Sequence, residues 1–145
     1  VNFFGSNPRG SSLFDYFYNA FKFGQNTFGY SDLYFTPTYV RDLVRMTLEI
    51  DSKGVCGLVH AVGSERISKY EFGVLIAEEF GLDKSLILKS SLQSQAKLVK
   101  RPLDMSLSNR KVRELLGRNL GTVKEQIAQL HQQEVEAKIQ EIQLL

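Results

Sequence analysis

Apolar residues recur every three or four positions in five stretches of this chain, the spacing expected for one face of an α-helix. Ser11 or Ser12 can cap the first stretch, and Gly24 closes it. Ser68 and Glu71 form a capping-box pattern ahead of the third stretch. The pattern predicts helices over residues 13–24, 39–50, 69–80, 109–116 and 122–145, with Thr38 and Ser108 as further caps.

The last predicted helix contains neither Gly nor Pro after Gly121. Val123, Ile127 and Leu130 share one face of it, and the register then jumps by five residues to Val135. Such an amphipathic helix packs either on its own domain or on a partner. We therefore expect residues 1–133 to form the main domain and residues 134–145 to form a C-terminal helical extension.

Shorter apolar runs between these helices predict strands over residues 1–5 and 55–63, a turn plus a short strand within 25–35, and a further apolar segment at 85–92. The sequence TPT interrupts the second strand. Pro37 also excludes the residue before it from a helix. This alternation of strands and helices indicates an α/β fold. The strands are too few and too short for a complete doubly wound sheet. The chain also starts at Val1 without Met, so we expect it to be a fragment of a larger protein.

Composition and length are those of one globular domain. The chain has 145 residues, of which 43% are hydrophobic and 23% charged. No apolar run approaches the roughly 20 residues that span a bilayer, and the first residues do not resemble a signal peptide. Cys56 is the only cysteine, so no internal disulfide can form and a reducing compartment, the cytoplasm, is expected.

The net charge of +2 conceals an uneven distribution. Residues 84–124 hold ten basic and two acidic residues, net +8, whereas residues 1–83 and 125–145 are each net −3. A basic block of this kind attracts an anionic ligand or nucleic acid, or is simply a solvated surface. The aromatic residues cluster within 3–39, which holds thirteen of the sixteen, away from the block, and this argues against nucleic acid.

Few residues suggest chemistry beyond binding. The chain lacks the GxGxxG dinucleotide fingerprint, the P-loop, GxSxG and HExxH, and no catalytic residue is predicted. His60 has no second ligand at metal spacing, so we expect a packed neutral histidine and no metal site. Arg101, which precedes Pro102 within the basic block, is the strongest candidate, because a guanidinium matches phosphate oxygens with a planar, permanently charged fork.

Four segments resemble motifs of the extended short-chain dehydrogenases, in the dTDP-4-dehydrorhamnose reductase branch. NFFG at 2–5 is similar to the N-x-Y/F-G segment of that superfamily. YFTPTYVRDLV at 34–44 and ISKYEFGVLIAEEF at 67–80 resemble the P-T-x-x-x-D-L-A and S-x-Y-E-F-A segments of the branch. RPLDMSLSNRKVRELLG at 101–117 resembles its R-P-x-[DN]-x-x-L-[DS]-x-x-[KR] segment. The resemblance covers residues 2–130.

The resemblance implies the C-terminal part of a Rossmann-type enzyme, with a small helix-rich substrate-binding domain. It implies that Asn2 lies near a sugar nucleotide, that Arg101 contacts its diphosphate, and that Asp104 lies near the nucleoside. Capping of the loop after Asn2 and of the turn at Asp104 are the competing structural roles. Phe35 stands where sugar-nucleotide epimerases commonly place a second phosphate-binding Arg, which favours the reductase branch.

The complete protein would then be an oxidoreductase that uses NADP or NAD, bound mainly outside this chain. It would reduce a nucleoside-diphosphate 4-keto sugar, with a Tyr-x-x-x-Lys set that the chain itself lacks. The implied partners are the sugar nucleotide and an N-terminal nucleotide-binding domain, and homo-oligomerisation stays open. The alternatives are a non-catalytic regulatory or binding subunit of the same fold, or a fragment of a sugar-nucleotide epimerase or dehydratase.

Overall fold

The structure is a computed structural model that describes residues 2–6, 10, 12–94 and 102–143, with side chains as far as residue 137. Its helices are α1 (Leu13–Lys22), α2 (Val40–Ser52), α3 (Lys69–Glu79), α4 (Arg110–Leu116) and α5 (Val123–Gln143), with a 3-10 turn at Lys84–Leu86. Its strands are β1 (Asn2–Phe4), β2 (Thr27–Tyr30), β3 (Tyr34–Phe35), β4 (Pro37–Tyr39), β5 (Ile67–Ser68), β6 (Ile87–Ser90) and β7 (Asp104–Met105). The predicted α/β class is confirmed.

Three small sheets organise the described strands. β1 and β4 pair in parallel, with Asn2 opposite Pro37 and Phe4 opposite Tyr39. β2 and β6 form a second parallel pair. In the third sheet the central strand β3 runs antiparallel to β5 and parallel to β7. Parallel pairs that are separated in sequence require crossover connections, which the intervening helices supply.

Aromatic side chains fill the main core, as the helical spacing predicts. Phe14, Phe17 and Phe21 of α1 are at most 4% exposed and pack with Phe72 of α3. The long helix α5 adds the predicted face to the same core, through Val123, Ile127 and Leu130. A smaller cluster joins α2 to α4 and the start of α5, through Met46, Val112 and Leu120.

The two helices that begin at a serine are capped as predicted. The Ser12 side chain accepts a hydrogen bond from the Asp15 backbone N–H, and Asp15 accepts one from the Ser12 N–H in return. Ser68 and Glu71 make the same reciprocal pair at the start of α3. Each pair satisfies two backbone donors that a helix otherwise leaves open, so both helix starts are firmly placed.

The strand predicted over residues 55–63 is wrong, because this segment forms no ladder. Gly57 adopts a φ of 89°, which breaks an extended strand, and Leu58 is 79% exposed. Val59 and Ala61 pack against the smaller core cluster, and only the end of the segment is fully buried, at Val62. There the Gly63 N–H donates to the Thr38 hydroxyl at 2.9 Å, which takes the place of a sheet hydrogen bond.

The predicted cap at Thr38 is wrong. The Thr38 hydroxyl is bonded to Gly63, and α2 starts after Tyr39, whose N–H donates to the buried Gln126 side chain of α5 at 2.8 Å. Helix α4 starts after Asn109, one residue later than predicted, and the Ser108 hydroxyl accepts a long hydrogen bond of 3.4 Å from the Arg110 N–H at that helix start.

The TPT sequence ends β3 as predicted, because that strand stops at Phe35 and Thr36 lies outside any strand. A further strand then follows at once, since Pro37 begins β4, where proline is tolerated.

Helix α5 changes character along its length. Leu130 is 1% exposed, whereas Val135 is 44% exposed. The first half of the predicted apolar face is therefore covered by the domain, whereas Val135, the first residue of the second half, is largely exposed. No helix among the described residues combines the length and the apolarity that crossing a bilayer would need.

Candidate functional site

A cavity of about 360 Å³ lies where the starts of β1 and β4 meet the first turns of α1 and α3. Three polar residues line it: Asn2, Ser12 and Lys69. The rest of the lining is apolar and largely aromatic: Phe3, Phe4, Leu13, Phe35, Pro37 and Phe72. A concave, mostly apolar site with a few convergent polar groups is the usual form of a small-molecule binding site.

The aromatic wall of this cavity is fixed by edge-to-face contacts. The Phe72 ring meets the Phe4 ring at a centroid distance of 5.2 Å and the Phe35 ring at 5.5 Å. Phe72 is fully buried, and the three rings come from α3, β1 and β3. Such contacts stabilise ring pairs beyond their buried area, so the wall joins three separate elements into one rigid surface.

The capping boxes fix the polar edge of the cavity. Ser12 is the N-cap of α1, and Lys69 is the first residue of α3. The Lys69 N–H also donates to the Leu33 carbonyl at 3.0 Å, which ties the start of α3 to the turn before β3. Asn2 is the first residue of β1, so the prediction that it lies at a ligand site is compatible with its position in this lining.

Asp104 lies in a separate polar cluster. Arg66 stacks on the Tyr34 ring at 3.6 Å, and its Nε and Nη2 atoms each lie 2.9 Å from Asp104 Oδ2. Asp104 Oδ1 accepts from both the backbone N–H and the hydroxyl of Ser106. The Ser106 hydroxyl first, and then Arg66, lower the pKa of Asp104 to about 2.

These contacts bear on the two roles considered for Asp104. Its two oxygens accept three hydrogen bonds, and Arg66 Nη2 adds an ion-pair contact to Oδ2, which together occupy most of the capacity of a carboxylate. Within the described part of the chain, Asp104 is not in the lining of the 360 Å³ cavity. It pairs with Tyr34, whereas the next residue, Phe35, lines that cavity, and successive side chains point to opposite faces of a strand. The geometry supports the turn-capping alternative, and a nucleoside contact stays a prediction.

Arg101 lies outside the described residues, so its predicted contact with a diphosphate stays a prediction. The structure does fix the chain on the N-terminal side of its segment. The Asp32 carboxylate accepts hydrogen bonds from the Ser91 hydroxyl and from the N–H groups of Leu92 and Gln93, at 2.6 to 3.1 Å. These three bonds hold the turn from which the chain continues towards Arg101.

Sequence reasoning missed Ser12 and Lys69 as site residues. The sequence identified both residues only as parts of a helix start. A helix-start pattern does not show which other element of the fold lies opposite it. A lysine at the first position of a helix was the available clue, since a cation is unfavourable at the positive end of the helix dipole.

A larger groove of about 530 Å³ runs along α3 to the start of α5. Its walls are mostly apolar, with Ile67, Tyr70, Val74 and Leu75 among them, and it holds none of the predicted site residues. No group of three or more His, Cys, Asp or Glu side chains among the described residues could hold a metal ion. The cavity at Asn2 is therefore the better candidate for a polar ligand, and its amide, hydroxyl and ammonium groups are suited to binding.

Comparison with known proteins identifies the family of this chain. The family model described as "RmlD substrate binding domain" matches residues 5–136. No curated protein matches the chain.

Among solved structures, dTDP-4-dehydrorhamnose reductase of Bacillus anthracis in complex with NADP is similar at a TM-score of 0.79 and 18% identity, over 91% of this chain and 46% of that one. A hypothetical dTDP-4-dehydrorhamnose reductase of Sulfolobus tokodaii has a TM-score of 0.69 and 27% identity, over 83% and 41%. The dTDP-glucose 4,6-dehydratase of Bacillus anthracis in complex with NAD has a TM-score of 0.67 and 14% identity, over 93% and 43%.

These likenesses confirm the predicted fold, part of a Rossmann-type extended short-chain dehydrogenase. The chain spans less than half the length of the solved structures that it matches.

Proposed function

Because this chain belongs to the RmlD substrate binding domain family, we propose that it is the substrate-binding part of an NAD(P)-dependent reductase acting on a nucleoside-diphosphate 4-keto sugar. The observation that carries the proposal is that the family match includes α1, β3, β4 and α3, the elements that build most of the candidate cavity. The reductase branch is favoured because two reductase structures exceed the dehydratase in TM-score.

The ligand-binding roles follow from the chemistry of the side chains. In this proposal the Asn2 amide hydrogen-bonds the sugar nucleotide from the cavity edge. Arg101 contacts the diphosphate through its planar guanidinium, and the basic block around it attracts the dianion. Asp104 keeps Arg66 in place beside Tyr34 and shapes the turn that follows Pro102.

The chain's own residues do not fit a dinucleotide. It has no glycine fingerprint to bring a helix start against a pyrophosphate, so we assign the nicotinamide cofactor and the catalytic Tyr and Lys to a nucleotide-binding domain outside these 145 residues. Two observations support such a partner. Among the described strands β1 pairs only with β4, which leaves one edge open. Phe3 of β1 and Val44 and Leu48 of α2 are 52% to 65% exposed. We call these three residues the exposed apolar set.

We also propose the boundary near residue 133 between the substrate-binding portion and a C-terminal extension. The family match ends at residue 136, and Val135 is far more exposed than Leu130. A contact of the extension with another part of the complete protein would cover the second apolar face of α5.

The test is turnover by the full-length natural protein. With NADPH or NADH and a dTDP-4-keto-6-deoxyhexose, we expect the reduced cofactor to be consumed only when the sugar is present. The absorbance of the reduced cofactor monitors this loss. The Arg101→Ala variant should lower kcat/KM for the sugar by at least about tenfold, since a charge-assisted contact is lost.

Other outcomes separate the alternatives. Sugar-nucleotide binding without turnover would identify a non-catalytic binding subunit of the same fold. Release of a 4-epimer or a dehydrated sugar would identify an epimerase or dehydratase. Neither binding nor turnover with any nucleoside-diphosphate sugar would refute the proposal.

A further inference from the structure

We propose that Lys69 is a phosphate-binding residue of the cavity and holds the phosphate that is linked to the sugar. This inference rests on the proposed function and deepens it, because it assigns the anionic part of the substrate to a residue outside the RPLD segment. It adds a second cation, distant in sequence, to the diphosphate contact that the proposed function assigns to Arg101.

The first support is position. Lys69 lines the 360 Å³ cavity together with the Asn2 amide and the Ser12 hydroxyl. The three side chains come from α3, β1 and the start of α1, which are distant in sequence, and they meet only at this cavity. The ammonium and the amide supply hydrogen-bond donors that a phosphate ester accepts, whereas the Ser12 hydroxyl already donates to Asp15 Oδ2 and can only accept from a sugar hydroxyl.

The second support is the rigidity of the backbone that carries Lys69. Its N–H is bonded to the Leu33 carbonyl, and the Ser68–Glu71 capping box closes around it. The residue is half-buried against the Phe72 wall. A fixed attachment point lowers the conformational cost of placing a long side chain on a ligand.

The third support is electrostatic. Lys69 is the first residue of α3, where the helix dipole opposes a cation. The same dipole attracts an anion at the helix start, where the Glu71 carboxylate of the capping box already lies, so the Lys69 ammonium supplies the main attraction for a phosphate. The aromatic walls exclude water from one side of the cavity, and an ion pair is stronger in such a low-dielectric setting.

Binding to the full-length natural protein tests the inference, measured by calorimetry with dTDP-glucose, dTMP and NADPH. Lys69→Gln should lower the affinity for dTDP-glucose by about 10- to 100-fold, the range for a lost charge-assisted contact. It should change the affinity for dTMP by less than about threefold. NADPH affinity should not change, which separates a substrate phosphate from a cofactor phosphate. Lys53→Gln, the same substitution at an exposed turn after α2, is the matched control and should leave all three affinities unchanged.

Lys69→Arg is the second variant and should stay within about threefold of wild type, because it keeps the charge. Equal dTDP-glucose affinity for wild type and Lys69→Gln, with both proteins folded by circular dichroism, would overturn the inference. A loss on Lys69→Gln that is equally large for NADPH would also overturn it.

A mutation-free readout distinguishes failure of this inference from failure of the proposed function. Acetylation of Lys69 by acetic anhydride, followed by mass spectrometry, should slow at least about fivefold in saturating inorganic pyrophosphate, while acetylation of Lys53 does not. Protection by pyrophosphate without any dTDP-glucose binding would keep the anion site and refute the sugar-nucleotide assignment. Binding of dTDP-glucose without protection of Lys69 would keep the proposed function and refute the role of Lys69.

Discussion

Gln126 offers the sharpest test of how the helix α5 holds the site together. This side chain is 1% exposed. Its Oε1 accepts from the Tyr39 N–H at 2.8 Å, and its Nε2 donates to the Leu120 carbonyl at 3.2 Å. One glutamine therefore caps the start of α2 and closes the turn that leads into α5.

Gln126→Leu keeps the approximate size and removes both hydrogen bonds. It leaves the Tyr39 N–H and the Leu120 carbonyl without their partners, and each such buried group costs about 1–3 kcal/mol. The added apolar side chain offsets part of this, so we expect a net loss of about 3 kcal/mol in the free energy of unfolding. At roughly 2–4 °C per kcal/mol, the melting temperature should fall by about 6–12 °C.

The assay is thermal unfolding of the full-length natural protein, followed by circular dichroism. Gln129→Leu is the matched control, since the same substitution three residues further along α5 alters an exposed side chain. It should shift the melting temperature by less than about 2 °C. A Gln126→Leu protein that melts within about 2 °C of wild type, or a control that loses as much, would refute the reasoning.

Three further predictions concern the core, the Asp104 cluster and the exposed apolar set. Phe72→Ala should lower the free energy of unfolding by about 3–5 kcal/mol in urea titrations. The control Phe23→Ala alters a side chain that is 69% exposed and should lower it by less than about 0.5 kcal/mol. Similar losses for the two variants would contradict the packing described. Asp104 has a folded pKa of about 2, below its ordinary 3.8, so its contribution is present above about pH 4 and lost towards pH 2. Asp104→Asn should thus melt below wild type at neutral pH and converge with it towards about pH 2, and a gap that persists in acid would count against the Ser106 and Arg66 contacts. Residues 1–145 expressed alone should aggregate or self-associate through the exposed apolar set in size-exclusion chromatography, whereas a monomer with a cooperative melt would show otherwise.

Local pattern was enough for the helices of this chain. The cap at Ser12, the capping box at Ser68 and the aromatic spacing of α1 are short-range features, and each forms as the sequence predicts. Residues 55–63 were not predictable in this way. Their apolar run suits a strand, but Gly57 turns the chain and the last residues bond to the Thr38 side chain, a partner set by tertiary packing.

The candidate site was likewise predictable only in part. The position of Asn2 at a cavity was predictable from its motif, because the motif itself implies a ligand nearby. Lys69 was not, because its relevance depends on α1 and β1 lying opposite the start of α3. The contact of Asp104 with Ser106 is the turn-capping role considered from the sequence, whereas its contact with Arg66, 38 residues away, was hidden.

Calorimetric titration of dTDP-glucose into the full-length natural protein and its Arg101→Ala variant tests the central claim most directly. A substrate-binding part of a sugar-nucleotide reductase predicts saturable one-to-one binding by the wild type, weakened at least about tenfold in the variant. Absence of binding to the wild type, or equal affinity for the two proteins, would contradict it.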